Sequence, residues 1–348
     1  MKRSVCAILA MAFLLVAFPA WAAGVSQATM LFLKIAPGAR PSGMGEAFVA
    51  MADEATAVWW NPAGLGFLQE KQFTAMYARW LPQFKLSDLY YSYLGYVHDV
   101  PDWGTFGGSI IFLNLGETER RDEQNRSLGT FSSFELAVAG AYGAKVSENL
   151  TMGVGLKIIY SNLSPFGAGA EKGTGTATAV AADIGLLYKT TFLRGLSLGA
   201  NLSNMGPKVA YIDRAQADPL PTNLKIGVAY HVIDQEYNTL TVATDINKEL
   251  VVRHDDGTSD EFYAAMFTAW GDDEPIKSII WNIGTEYWYG KLVGLRVGYW
   301  NDDLGKVFPI TFGVSLQYSV YRFDFSYLNA GENHPLSDTM RYSLSVAF

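Results

Sequence analysis

From residue 72 onward, apolar and polar positions alternate with period two in run after run. Leu150, Met152, Val154, Leu156, Ile158 and Tyr160 form one such series. Leu224, Ile226, Val228, Tyr230 and Val232 form another, and Ile310, Phe312, Val314, Leu316 and Tyr318 a third. Period two is the signature of a strand whose two faces meet different solvents. Fourteen runs can be marked, from residues 72–80 to residues 339–348. Each reaches roughly the ~9–11 residues that a tilted strand needs to cross a bilayer. The count is least fixed within 250–277, where 262–270 reads either as a helix or as a further strand. The connections alternate too. Those after even strands are short (99–103, 147–149, 192–194, 233–237, 290–291, 319–322), and those after odd strands are mostly longer (117–130, 164–175, 205–221, 250–277). Short turns facing long loops, with an even strand count, predict an all-β fold: a 14-stranded antiparallel transmembrane β-barrel over residues 72–348, with both termini on the periplasmic side.

The last run strengthens this reading. Tyr342, Leu344, Val346 and Phe348 lie on one face, with Arg341, Ser343, Ser345 and Ala347 between them. A bare amphipathic strand at the end of a soluble domain invites aggregation, whereas a barrel closes its last strand on its first and leaves no edge. These four residues are the candidate barrel-assembly signal. Bacterial outer-membrane proteins end in a similar strand with a terminal Phe, which the barrel-assembly machinery reads. At the other end, Lys2 and Arg3 precede an apolar run broken by Pro19, and Ala20-Trp21-Ala22 forms an A-x-A site. Residues 1–22 are therefore a predicted signal peptide. Cys6, the only cysteine, lies inside it, so the mature chain has no disulfide. Removing Lys2 and Arg3 takes the net charge from −8 to −10, which argues against nucleic acid as a partner. Aromatics make up 14% of the chain and charged residues only 17%, with 34 glycines. That composition suits a lipid-facing barrel with aromatic girdles, and glycines where strands bend.

Residues 23–71 do not alternate. Residues 46–52 read as a short helix, and 54–60 as a second one capped by Asp53, whose carboxylate would accept first-turn amides. Asn61-Pro62-Ala63-Gly64 ends it, since proline cannot continue a helix. A free segment would expose Trp59, Trp60 and Phe67, and a fourteen-stranded lumen has room for it. The segment is therefore expected to plug the lumen. Its expected key residues are Pro37, Gly43, Gly45, Asp53, Trp59, Trp60, Asn61, Pro62 and Gly64.

Residues 32–66, FLKIAPGARPSGMGEAFVAMADEATAVWWNPAGLG, resemble the N-terminal signature of the PorV/PorQ family. That family is related to the FadL-type outer-membrane transporters, which also carry an Asn-Pro-Ala element. Residues 285–300, TEYWYGKLVGLRVGYW, resemble the family's late hairpin, and residues 323–348 its closing strands. Glu46 stands where a small residue or Asp is expected. The resemblance implies a plugged barrel in the outer membrane. It implies two candidate functions and favours the first. One is a docking and escort component of type IX-like secretion, whose partners are a translocon barrel and the C-terminal domains of secreted clients. The other is FadL-like transport of hydrophobic compounds.

Chemistry is sparse. His98, His231, His254 and His334 have no ligand spacing, so no cofactor, metal site or catalytic residue is assigned. His98 and Ser92 are the nearest approach to a nucleophile pair, and nothing in the sequence orients them. The acidic stretches at 254–256 and 272–274 read as solvated loops rather than calcium sites. Trp59 and Trp60 serve either the plug's core or a ligand. An escort needs apolar loop tips, and Val209, Tyr211 and Ile212 form the candidate partner loop. A transporter needs an apolar pocket that reaches the external mouth.

Deleting Phe348 should strand the chain in the periplasm, unfolded or degraded. Fractionation and heat-modifiable gel mobility check this. Normal levels of folded barrel in the outer membrane would remove the terminal residue's role.

Overall fold

A computed structural model describes residues 27–348, apart from 87, 123, 167–172, 214–215, 255 and 272–276. The predicted signal peptide lies outside the described residues. The strands are β1 (Gln72–Arg79), β2 (Tyr90–Val100), β3 (Gly104–Arg121), β4 (Ser127–Ser147), β5 (Leu150–Ser164), β6 (Gly175–Lys189), β7 (Leu196–Met205), β8 (Asn223–Asp234), β9 (Asn238–Glu249), β10 (Ile279–Tyr289), β11 (Val293–Asn301), β12 (Ile310–Tyr318), β13 (Tyr321–Asn329) and β14 (Thr339–Ala347). They form one closed antiparallel barrel in sequence order. The seam is β1 on β14, from Gln72 opposite Ala347 to Ala78 opposite Arg341. Beyond it the Phe348 amide donates to the Lys71 carbonyl at 2.8 Å. Tyr342 and Leu344 project outward from β14, Val346 is half-buried and Phe348 is exposed.

The period-two pattern has an inverted sense. Outward Leu156 and Ile158 are 70% and 63% exposed, while inward Lys157 and Asp183 are buried. Only an apolar solvent makes that arrangement stable, because the wall's backbone is paired within the sheet and its bare side chains are hydrocarbon. One rim carries the short turns and both ends of the barrel chain, and the other carries the long connections. The wall is uneven: β3 and β4 run 18 and 21 residues, whereas β11 to β14 run nine each. The expected loop 117–130 is mostly strand. Gly116, at φ +84°, sits at a register shift that lets the hairpin continue to its turn at 122–126. Within 250–277 the uncertain stretch is a helix, Phe262–Thr268, so the strand count stays at fourteen.

Residues 30–68 lie inside the barrel and are almost all buried. Of the two helices expected there, the first is not found and the second is reduced to its last turn. Residues 46–52 form turns, with Glu46 at φ +61° and Ala52 at +34°, and only Ala57–Trp60 is helical near the second. Asp53 caps nothing; its carboxylate faces Arg40 instead. The physical reason lies in the backbone: left-handed residues at Glu46 and Ala52 hold the first stretch in turns against the wall.

The glycines have a use beyond strand bends. Inward glycines of the wall face plug backbone, and a Cβ added at Gly153 would overlap Pro62, at Gly185 Asn61, at Gly284 Met44 and at Gly298 Gly45. Gly45 itself sits at φ +61°, pressed on the backbone of Tyr299. Gly298→Val should therefore expel residues 43–46 without breaking the barrel. In planar bilayers it should conduct ions far more often than the parent barrel, and equal conductance would mean that the plug tolerates the methyl groups.

Candidate functional site

The plug is a chain of short helical turns (Leu31–Lys34, Ala39–Gly43, Ala57–Trp60 and Pro62–Phe67), and the buried peptide groups that these leave open need other partners. Inward side chains of the wall supply them. Asp245 on β9 accepts the Phe48 and Val49 amides at 2.7 and 2.9 Å. Asn282 on β10 donates to the Gly45 carbonyl at 2.7 Å, and the Thr311 hydroxyl accepts the Gly45 amide at 3.0 Å. Asn201 on β7 donates to the Trp60 carbonyl at 3.0 Å, and Ser343 on β14 accepts the Ala39 amide at 2.9 Å. Tyr91 and Tyr93 on β2 donate to the Ile35 and Ala55 carbonyls. Asn61 joins both parts: its Nδ2 donates to Val49 and to Leu186 of β6, and its Oδ1 accepts the Ala63 amide.

A buried charge network lies beside these bonds. Arg40 holds Glu286 of β10 by two bonds of 2.8 Å and also faces Asp53 and Glu54. Arg296 on β11 pairs with Glu286 and lies 3.7 Å from Asp324 on β13. Arg322 pairs with Asp324 at 2.9 Å and with Glu54 of the plug. Such charges are stable only together, since each one alone would lack solvation. Arg341 on β14 reaches Glu46 at 3.3 Å, so the residue that departs from the family pattern has a partner in the wall.

Above the plug, at the long-loop rim, a cavity of about 250 Å³ opens between plug and wall. Its sides include Leu33, Ile35, Trp59, Trp80, Trp300 and Leu336, with Lys225, Asn223, Asn247 and Arg341 among them. Trp60 is fully buried and packs edge-on to Trp59 at 4.7 Å, its Nε1 donating to the Pro37 carbonyl. The tryptophan pair thus divides the two expected uses, with Trp60 in the plug's core and Trp59 in the cavity wall.

The cavity extends to Ser203, Asn204 and Asn223, where the wall is notched. β6 pairs with β5 along its full length, but β7 leaves β6 after a register shift between Ala182 and Ile184. Residues 175–181 of β6 have no β7 partner. Asn204, at φ +60°, turns the chain inward. Its amide donates to Asp183 at 2.8 Å, and Lys157 bridges Asp183 and the Asn204 side chain at 2.7 Å each. The loop that follows lies against the inner face of β6. Val209 is buried with Ala177 and Ala179, and the Tyr211 hydroxyl bonds Ser161. The expected exposed partner loop is therefore mostly folded in, leaving Ile212 exposed.

The remaining plug residues are together. Gly43 lies on Gly313, Pro62 on Gly153 and Gly64 on Ala52. The wall charges Lys225, Asp245, Glu286, Arg296 and Arg322 were not singled out from the sequence. Their signal is phase: Arg296 stands between Leu295 and Val297, at an inward position of a lipid-facing strand, where a charge must have a partner or a task. Ser92 and His98 are not brought together; Ser92 bonds the Phe112 carbonyl and His98 the Tyr96 hydroxyl. In the outer loops Asp260 takes hydrogen bonds from Thr268 and His254, and Asp256 from Thr258, which hold both carboxyls below the usual range. Residues 255 and 272–274 lie outside the described residues, and among the described ones no acidic or histidine group is arranged to hold a metal.

Residues 20–256 match the model of a family described as type IX secretion system protein PorV. No curated protein matches. Among solved structures, the Pseudomonas putida toluene transporter TodX is 16% identical, with a TM-score of 0.55 over 89% of this chain and 96% of its own. The Ralstonia pickettii toluene transporter TbuX is 13% identical, with a TM-score of 0.51 over 89% and 96%. A Pseudomonas aeruginosa FadL homologue is 11% identical, with a TM-score of 0.51 over 89% and 98%. At these identities the likeness is one of fold.

Arg40→Ala should leave Asp53 and half of Glu286's partners behind, costing about 3–5 kcal/mol. The plug should become cleavable by protease in folded barrels, and the double variant Arg40→Met/Glu286→Gln should recover part of the loss. Equal unfolding midpoints in urea for parent and single variant would show that the network carries no stability.

Proposed function

This chain belongs to the PorV family of outer-membrane proteins, and on that footing we propose that it takes up small hydrophobic compounds at the outer membrane. It is an outer-membrane β-barrel and not an enzyme. The observation that carries the reading is the cavity at the long-loop rim, floored by the plug and walled by three tryptophans. In this reading residues 1–22 are removed, 23–71 form the plug and 72–348 the barrel. The short-turn rim and both termini face the periplasm, and the long loops face outward. A compound enters from outside, desolvates against Trp59, Trp80 and Trp300, and leaves sideways at the notch beside residues 175–181. That route avoids the plug, whose ties to the wall hold the axial path shut. The toluene transporters of the same fold lend this reading support.

The second reading is a docking component in type IX-like secretion, favoured by the family's own description. It requires a translocon barrel and the C-terminal domains of clients as partners. The inward fold of Val209 and Tyr211 leaves it less apolar loop surface than the sequence suggested.

Cells lacking the gene should take up labelled toluene or another small hydrophobic compound more slowly, at least several-fold, and secrete proteins normally. Normal uptake with failed secretion would reverse the order of the two readings.

A further inference from the structure

The cavity holds one cation without a partner. Lys225 on β8 is about nine-tenths buried and lines the cavity. Among the described residues its ammonium makes no hydrogen bond and no ion pair. It lies instead 4.1 Å from the ring centroid of Trp59 and 4.4 Å from that of Trp60. No nearby carboxylate pairs with it: Asp245 accepts two plug amides through Oδ2 and keeps Oδ1 beyond ion-pair distance of the ammonium, and Glu46 faces Arg341. The other lining cations are paired, Lys34 with Glu249 and Arg341 with Glu46. Two indole faces hold the Lys225 ammonium itself by cation–π contact and give it no hydrogen-bond acceptor, so an entering anion can still bond it. A neutral hydrocarbon would bury this ammonium with no acceptor, which is costly.

We infer that the cavity selects a compact amphipathic monoanion, a carboxylate on an aromatic body, with the carboxylate on Lys225 and the body against Trp59, Trp80 and Trp300. This rests on the uptake reading of the cavity. Size limits the class: about 250 Å³ suits roughly a dozen non-hydrogen atoms and not a long acyl chain. Aromatic walls favour a ring, through stacked or edge contacts.

The test is calorimetric titration of the full barrel in lipid nanodiscs with para-butylbenzoate and with para-butylbenzamide, which has nearly the same shape and no charge. The benzoate should bind about tenfold or more tightly than the amide, the range of a charge-assisted bond. Lys225→Gln should bring benzoate affinity down to the level of the amide. Lys225→Arg should keep the preference. Equal binding of the two compounds by the parent barrel would overturn the inference and leave the uptake reading standing. Binding of neither would overturn both. The parent comparison needs no variant, so it decides even where Lys225→Gln fails to fold.

Discussion

Everything in this barrel follows from how an irregular segment is kept inside a lumen. A long helix or a paired strand satisfies most of its own peptide groups, whereas the short helical turns of residues 30–68 leave many of theirs open. Placed away from water, their amides and carbonyls require partners, and the inward side chains of six strands provide many of them. The same demand explains the inward glycines, since a side chain at Gly284 or Gly298 would hold the wall off the plug backbone it has to meet. It also explains why charges are tolerated in a lipid-facing wall. Glu286, Arg296 and Asp324 point inward and complete a network with Arg40 and Glu54 of the plug.

The outer half of the wall obeys the opposite logic. Near the short-turn rim, plug and wall fit backbone to backbone. Toward the long-loop rim they part, and the cavity occupies the difference. The buried Lys157–Asp183 pair and Asn204 sit where β7 turns away from β6. Their bonds reward the inward turn, because continued pairing of β7 along β6 would take the Asn204 amide away from Asp183. The notch is therefore specified by named polar residues and is not simply a place where a strand runs short.

Much of this was legible in the sequence. Strand number, alternation and closure followed from period two, because lipid outside and a polar lumen inside impose one solvent on each face. Pro37, Trp59, Trp60, Asn61 and Pro62 were expected in a plug, and in the structure all five are buried. The helix at 46–52 was misread because local propensity does not register the left-handed turns at Gly45, Glu46 and Ala52 that press the segment onto the wall. The extra length of β3 and β4 was missed because Gly116 looks like a turn residue and acts as a bulge. The notch and the cavity were invisible for a related reason. They depend on register between β6 and β7 and on where a loop lies, and neither leaves a period in the chain.

The plug's ties have a temporal meaning as well. The plug is synthesised first, yet its firmest partners, Asp245, Asn282, Glu286, Thr311, Arg322 and Ser343, belong to the last six strands. Those bonds form only when the late strands stand in this register, so the segment that stops the pore is also a gauge against which the closing strands are set.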